Sequence, residues 1–135
     1  MSLAPTVVLD ASALTDLADG ERRMLGWMAA VLDEDSAFVI SAVTLAETTD
    51  GTARDAKVRR ALGSLRVVDA GPAIGFRAGA LRSRVRRRKA RDLTVDGIVA
   101  ATAESLPGPV VVVTSDPGDF GLLLAGSDVK VAPLG

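Results

Sequence analysis

Two apolar runs in this 135-residue chain end in an aspartate: "TVVLD" delivers Asp10 and, roughly a hundred residues later, "VVVVTSD" delivers Asp116. In open α/β sheets ligands bind beyond the carboxyl ends of the strands, so strand-ending aspartates converge when their strands are neighbours. Like charges held close together repel, which raises one pKa or recruits a cation. Glu47 and Asp96 fall near the starts of helices whose N-termini can face the same sheet edge, and Asp119 follows Asp116 across Pro117-Gly118. A group of carboxylates of this kind suits hard divalent cations such as magnesium, manganese or calcium.

The residue types that are absent narrow the chemistry. The chain has no Cys, His or Tyr, which excludes disulfide frameworks, Cys/His zinc sites, Ser-His-Asp triads and imidazole bases. If the protein is an enzyme, metal-assisted chemistry is the natural candidate. Each acid taken singly also has an ordinary structural reading. Asp10, between strand and helix, can be an N-cap. Glu47 can be solvated helix surface, and Asp96 is favoured in a first helical turn by the macrodipole. Asp116 and Asp119 can hold a turn through backbone hydrogen bonds. Only the combination points to a site.

The elements that must position these acids alternate in type. Thr6 to Leu9 reads as a strand buried on both faces, since it is apolar without alternation. A helical stretch broken near Gly20 follows, then a short strand at Phe38 to Ile40 and a helix capped by Ser41 that runs through "AVTLAETTD" to Gly51. A short helix near residues 52 to 62 leads into the strand "LRVVDA". Pro72 suits the first turn of a long helix with Ile74, Ala78, Leu81 and Val85 on one face and the Arg-rich stretch at its far end. Asp92 or Thr94 can cap the next helix, whose buried stripe is Val95, Ile98, Val99, Thr102 and Leu106. The strand Val110 to Val113, a turn "SDPGD", a short helix "FGLLLAG" and a strand "VKVAPL" complete the pattern. Strands separated by helices predict an α/β fold, a three-layer α/β/α sandwich on a mainly parallel sheet, with residues 1–135 forming a single domain.

Charge is unevenly distributed. Residues 82 to 91, "RSRVRRRKAR", hold seven of the sixteen cations and no acid, which leaves nine cations against seventeen acids elsewhere in a chain of net charge -1. A basic segment on an acidic body predicts that a polyanion is drawn to one region while carboxylates collect in another. No apolar run reaches the roughly 18 residues of a membrane span, and no signal-peptide pattern opens the chain, so a cytoplasmic protein is expected.

Four segments together, "VVLDASAL", "ISAVTLAET", "LTVDGIVAATA" and "VVVTSDPGDF", resemble a PIN domain in order and spacing across nearly the whole chain. The resemblance is strongest to the small single-domain PIN proteins that serve as VapC-type toxins of toxin-antitoxin pairs. It implies a magnesium- or manganese-dependent endoribonuclease, typically a homodimer and typically inhibited by a small antitoxin. Asp10, Glu47, Asp96 and Asp116 match the family's acidic positions, with Asp10, Asp96, Asp116 and a possible fifth member, Asp119, as metal ligands. Thr114 or Ser115 would support the site through hydrogen bonds. Two departures stand out: "RSRVRRRKAR" is more basic than that region usually is, and Gly97 replaces the more usual alanine beside Asp96.

The implied reaction is in-line hydrolysis of a phosphodiester by metal-activated water, leaving 5'-phosphate and 3'-hydroxyl ends. Arg82, Arg84, Arg86, Arg87 and Arg88 would contact RNA phosphates, against the ordinary reading of cations at a solvated helix end. The rival function is a PIN-like module that binds nucleic acid or protein without cutting. A phosphatase-like domain would want an Asp-x-Asp pair where this chain has Asp10-Ala11-Ser12. A receiver would want a lysine ending a late strand, and Lys57, Lys89 and Lys130 do not fit.

Overall fold

The computed structural model describes residues 4–32, 36–86 and 92–135. Five strands, β1 (Thr6–Leu9), β2 (Phe38–Ser41), β3 (Arg66–Val68), β4 (Val110–Thr114) and β5 (Lys130–Pro133), form one sheet in the order β3-β2-β1-β4-β5. Every pairing is parallel. The helices are α1 (Ala11–Asp19), α2 (Arg22–Leu32), α3 (Ala42–Thr48), α4 (Asp55–Ala61), α5 (Pro72–Arg84), α6 (Thr94–Ser105) and α7 (Pro117–Leu123). No helix of the described residues is long and apolar enough to cross a membrane.

The unbroken apolar strands predicted a sheet covered on both sides, and two buried clusters cover it. Val8, Val39, Val110 and Val112 pack with α5, α6 and α7 through Ala78, Leu81, Val99 and Phe120. Val7, Leu9, Phe38, Ile40 and Val113 pack with α1, α2 and α4 through Leu14, Met24 and Val58. Adjacent residues of each strand therefore serve opposite layers, as the two-residue period requires.

The helix boundaries follow local chemistry. Asp10 caps α1 by accepting a hydrogen bond from the Ala13 N–H, and Gly20, at φ 70°, closes it in the left-handed conformation. The buried Asp16 of α1 pairs with Arg23 of α2 across that turn. Ser41 caps α3 through the Val43 N–H. This helix ends at Thr48, earlier than the pattern predicts, where Thr49 turns extended at φ -122° and ψ 156° and the Thr48 and Thr49 hydroxyls donate to the carbonyls of Thr44 and Leu45. Pro72 occupies the first turn of α5, which stops at Arg84, so the Arg-rich segment is not wholly helical. Asp92 accepts from the Thr94 N–H and hydroxyl just before α6, which hold its carboxyl below the usual aspartate range.

Helices α5 and α6 are packed antiparallel. The Ala78 carbonyl of α5 approaches Gly97 at the start of α6, while Arg77 forms a two-pronged pair with Glu104 near its end, at 2.7 and 3.2 Å. The guanidinium holds the Glu104 carboxyl below the ordinary glutamate range. A depressed carboxylate adds stability above its unfolded pKa and loses it as pH falls through the folded value. Glu104→Gln should therefore unfold more easily at pH 7, by about 0.2–1 kcal/mol for a partly exposed pair. Denaturant titrations of both proteins should show the gap closing as pH falls through the depressed pKa of Glu104, where the parent also loses its charge.

Candidate active site

The sheet order places a topological switch point between β1 and β4. From β1 the chain builds outward through β2 and β3, then returns to the other side of β1 for β4 and β5. Crevices at such points, beyond the carboxyl ends of the strands, are where open α/β sheets bind ligands. Leu9 is in register with Val113, so the next residues of the two strands, Asp10 and Thr114, stand side by side.

They are joined. The Thr114 hydroxyl donates to Asp10 Oδ2 at 2.5 Å, and Asp10 Oδ1 accepts from the Ser12 hydroxyl at 2.6 Å and the Ala13 N–H at 3.0 Å. The Asp10 carboxylate, 8% exposed, is thus met by three donors. The same hydroxyls organise the exit of β4. Thr114 Oγ1 accepts from the Asp116 N–H at 2.9 Å, and Ser12 Oγ accepts from the Ser115 N–H at 3.0 Å. The capping and site-forming readings of Asp10 coexist: it starts α1 and fixes the turn that carries Asp116.

Asp116 lies half-buried just before α7, its Oδ1 turned toward Gly118, where an added Cβ would sit 3.9 Å away. Asp119 is 3% exposed. The sequence reading put it in a turn, but α7 begins at Pro117 and Asp119 belongs to its first turn, since proline is pre-organised for that position. Asp96 lies half-buried in the first turn of α6, and α6 runs into β4, so its start lies at the sheet edge where β4 ends. Glu47 is exposed near the end of α3, which packs against both α1 and α6. Among the described residues no three carboxylates are drawn together tightly enough to hold a metal ion as they stand. The donor set nevertheless has the chemistry of a magnesium or manganese site, since it is all carboxylate in a chain without His or Cys.

Of the supporting residues, Thr114 acts through its side chain and Ser115 through its backbone N–H. Ser12 was missed by the sequence reading. The signal was present in "DAS", where a serine two residues after an aspartate can bond back to it, but its link to Ser115 needs the β1–β4 pairing. Arg82 and Arg84 are exposed in the last turn of α5 and Arg86 is exposed beyond it. The antiparallel packing carries the end of α5 toward the start of α6, where Arg82 acts on the Asp92 carboxylate. Arg87 and Arg88 lie outside the described residues. A cavity of about 620 Å³ lined by Ala103, Glu104, Pro109, Val110, Ser127 and Asp128 opens at the start of β4, the end opposite to the acids, and holds none of them.

A PIN-domain family model matches residues 7–120. The chain belongs to the PIN domain family. Among solved structures, VapBC2 from Rickettsia felis bound to a promoter DNA fragment aligns with a TM-score of 0.73 at 15% identity, over 95% of this chain and 98% of that one. DNA-bound VapBC from Salmonella typhimurium aligns at 0.68 and 19% identity, over 97% and 99%. FitAcB from Neisseria gonorrhoeae aligns at 0.66 and 22% identity, over 93% and 96%. At these identities the likeness is one of fold. No curated protein sequence matches the chain.

Two substitutions test how this PIN domain holds its acids. Thr114→Val removes the hydroxyl that serves both Asp10 and Asp116, and should cost about 1–3 kcal/mol in denaturant unfolding, whereas Thr114→Ser should recover most of it. Equal stability of the valine and serine variants would show that the hydroxyl is not needed there. At Gly97 an added Cβ would lie 3.2 Å from the Ala78 carbonyl, so the absence of a side chain there is what lets α5 sit this close to the start of α6. Gly97→Ala should fail to realise the roughly 1 kcal/mol that alanine normally adds inside a helix. A thermal midpoint raised by that full amount would mean that α5 yields freely.

Proposed function

We propose that this protein is a divalent-metal-dependent endoribonuclease, a single PIN domain spanning residues 1–135 that acts as the toxin of a toxin-antitoxin pair. The observation that carries the reading is the arrangement at the switch point: Asp10, locked by Thr114 and Ser12 beside the turn bearing Asp116, in a chain whose other acids of the PIN pattern stand at Glu47 and Asp96. Asp10, Asp96 and Asp116, with Asp119, are the residues that would hold Mg2+ or Mn2+, and Glu47 would complete the catalytic set. When bound, such an ion lowers the pKa of a water and offsets the charge of the phosphate.

The chain's own groups do the remaining work. The Thr114 and Ser12 hydroxyls hold the Asp10 carboxylate in one orientation by donating to its two oxygens. Arg82, Arg84 and Arg86, with Arg87 and Arg88 of the same segment, would neutralise phosphates of the bound strand. Aromatic stacking is a small contributor, since the chain offers one Trp and three Phe. The structures of similar fold include VapBC and FitAB assemblies solved with DNA and a toxin-antitoxin complex from Klebsiella pneumoniae. They support a small antitoxin as partner, and homodimerisation and a cytoplasmic location belong to the same reading.

The deciding experiment is incubation of total cellular RNA with the purified protein in Mg2+ or Mn2+, with and without EDTA, beside Asp96→Asn. Fragments with 5'-phosphate ends should form only with metal and only with the parent protein. Cleavage that persists in EDTA, or ends bearing 2',3'-cyclic phosphate, would defeat the mechanism. Binding of RNA without cleavage would leave the non-cutting module as the function.

A further inference from the structure

Beside Glu47 lies a cleft of about 300 Å³, walled by Thr15 and Ala18 of α1, Thr48 and Thr49 at the end of α3, and Arg54, Asp55 and Lys57 at the start of α4. Its charges are mostly committed. The buried Asp55 carboxylate accepts the Asp50 N–H at 3.0 Å and the Gly51 N–H at 2.9 Å. Asp50 in turn accepts from the Thr52 N–H and hydroxyl, which hold its carboxyl below the usual aspartate range. Lys57 is paired with Asp19 at the end of α1. The Thr48 and Thr49 hydroxyls are spent on α3 carbonyls.

Arg54 differs. It is exposed, it lines the cleft, and it takes part in none of the ion pairs of the described residues. Its backbone is fixed, since its N–H bonds to Thr52 Oγ1 within the loop that Asp50 and Asp55 organise. An exposed guanidinium at the wall of a cleft, with Asp50 and Asp55 already engaged by backbone N–H groups and a hydroxyl, presents a two-pronged donor to an incoming anion. The cleft begins at Glu47, so a strand cut at the acidic site would continue into it.

We propose that Arg54 is a positioning residue for the substrate, binding a phosphate of the RNA strand next to the scissile one and so drawing that strand along the α1–α4 cleft past Glu47. This rests on the ribonuclease reading above. It is separate from Arg82, Arg84 and Arg86, which lie at and just beyond the end of α5 and do not line this cleft.

The test uses a fluorescent single-stranded RNA oligonucleotide of mixed sequence, bound in Mg2+ by Asp96→Asn protein with Arg54 intact, changed to Ala or changed to Lys. Cleavage of total RNA by the parent protein and its Arg54 variants is followed in parallel. Arg54→Ala should weaken binding about 3- to 10-fold at 0.1 M salt and lower the slope of log affinity against log salt by about 0.7, one single-strand phosphate contact. In cleavage it should raise KM while kcat stays within about twofold, the pattern expected when uniform binding is lost. Arg54→Lys should keep the salt slope, because it keeps the charge, and recover part of the affinity. A merely structural role would lower the thermal midpoint and leave the slope unchanged. If the parent cuts RNA and Arg54→Ala matches it in affinity, slope and KM, the inference is overturned and the ribonuclease stands. If the parent neither binds nor cuts RNA, the ribonuclease reading fails and takes the inference with it.

Discussion

The structure turns on a buried carboxylate held between two central strands. Asp10 is almost wholly removed from water, a placement that would be costly for a charge without partners. Three donors from two chain segments compensate it: Ser12 and Ala13 from its own helix start, and Thr114 from the end of β4. Because those donors have second roles, the bond network does more than stabilise an anion. It begins α1, closes the β1–β4 switch point, and sets the backbone of Ser115 and Asp116. Moving any one member would shift the others, so this corner of the sheet behaves as a unit.

Much of this was legible in the sequence, and the remainder shows what a linear reading can reach. Unbroken runs such as "VVVV" could belong only to strands covered on both sides, and the two core clusters fill both faces of them. Asp10 and Asp116 were identifiable as strand-ending acids because each follows such a run directly. The same reading put Asp119 in a turn, since Pro and Gly usually break structure, whereas proline here opens α7. Ser12 went unnoticed because its partner Ser115 lies 103 residues away and becomes a neighbour only through strand pairing. The tightness at Gly97 is likewise invisible in sequence, where a glycine for an alanine is a small change. Only the packing of α5 against α6 shows that the missing methyl decides how closely the Ala78 carbonyl can approach.

Charge asymmetry could be read as composition but not as geography. A ten-residue block with seven cations predicts attraction of a polyanion without saying where on the fold it would act. Part of the answer comes from the packing of two helices: Ala78 against Gly97 and Arg77 against Glu104 set α5 antiparallel to α6, so Arg82 comes within Coulombic reach of Asp92 just before α6. A Coulombic attraction that acts over a Debye length of about 8–10 Å is useful to a phosphodiester only if it is close to the acids that would process it. The α5–α6 contact sets where the end of α5 lies, which on the proposed reading gives the Glu104 pair a consequence beyond its small energy.

The acids differ in burial, with Asp10 and Asp119 buried and Glu47, Asp96 and Asp116 exposed or partly exposed, and electrostatics explains why that division suits the proposed reaction. Carboxylates forced together in the absence of a cation would repel, and the repulsion would be relieved by protonation or by side-chain rotation. A PIN domain that rigidly packed all its acids would bear that cost at rest. Here Asp10 is immobilised by hydrogen bonds, while Glu47 stays exposed and Asp96 and Asp116 stay partly exposed on separate elements. The described carboxylates accordingly do not form a closed cage. On the proposed reading, a divalent ion would supply the attraction that offsets this repulsion between Asp10 and the more exposed acids. Pre-organisation is strongest at the strand ends, where the sheet and the Thr114 and Ser12 hydroxyls provide it.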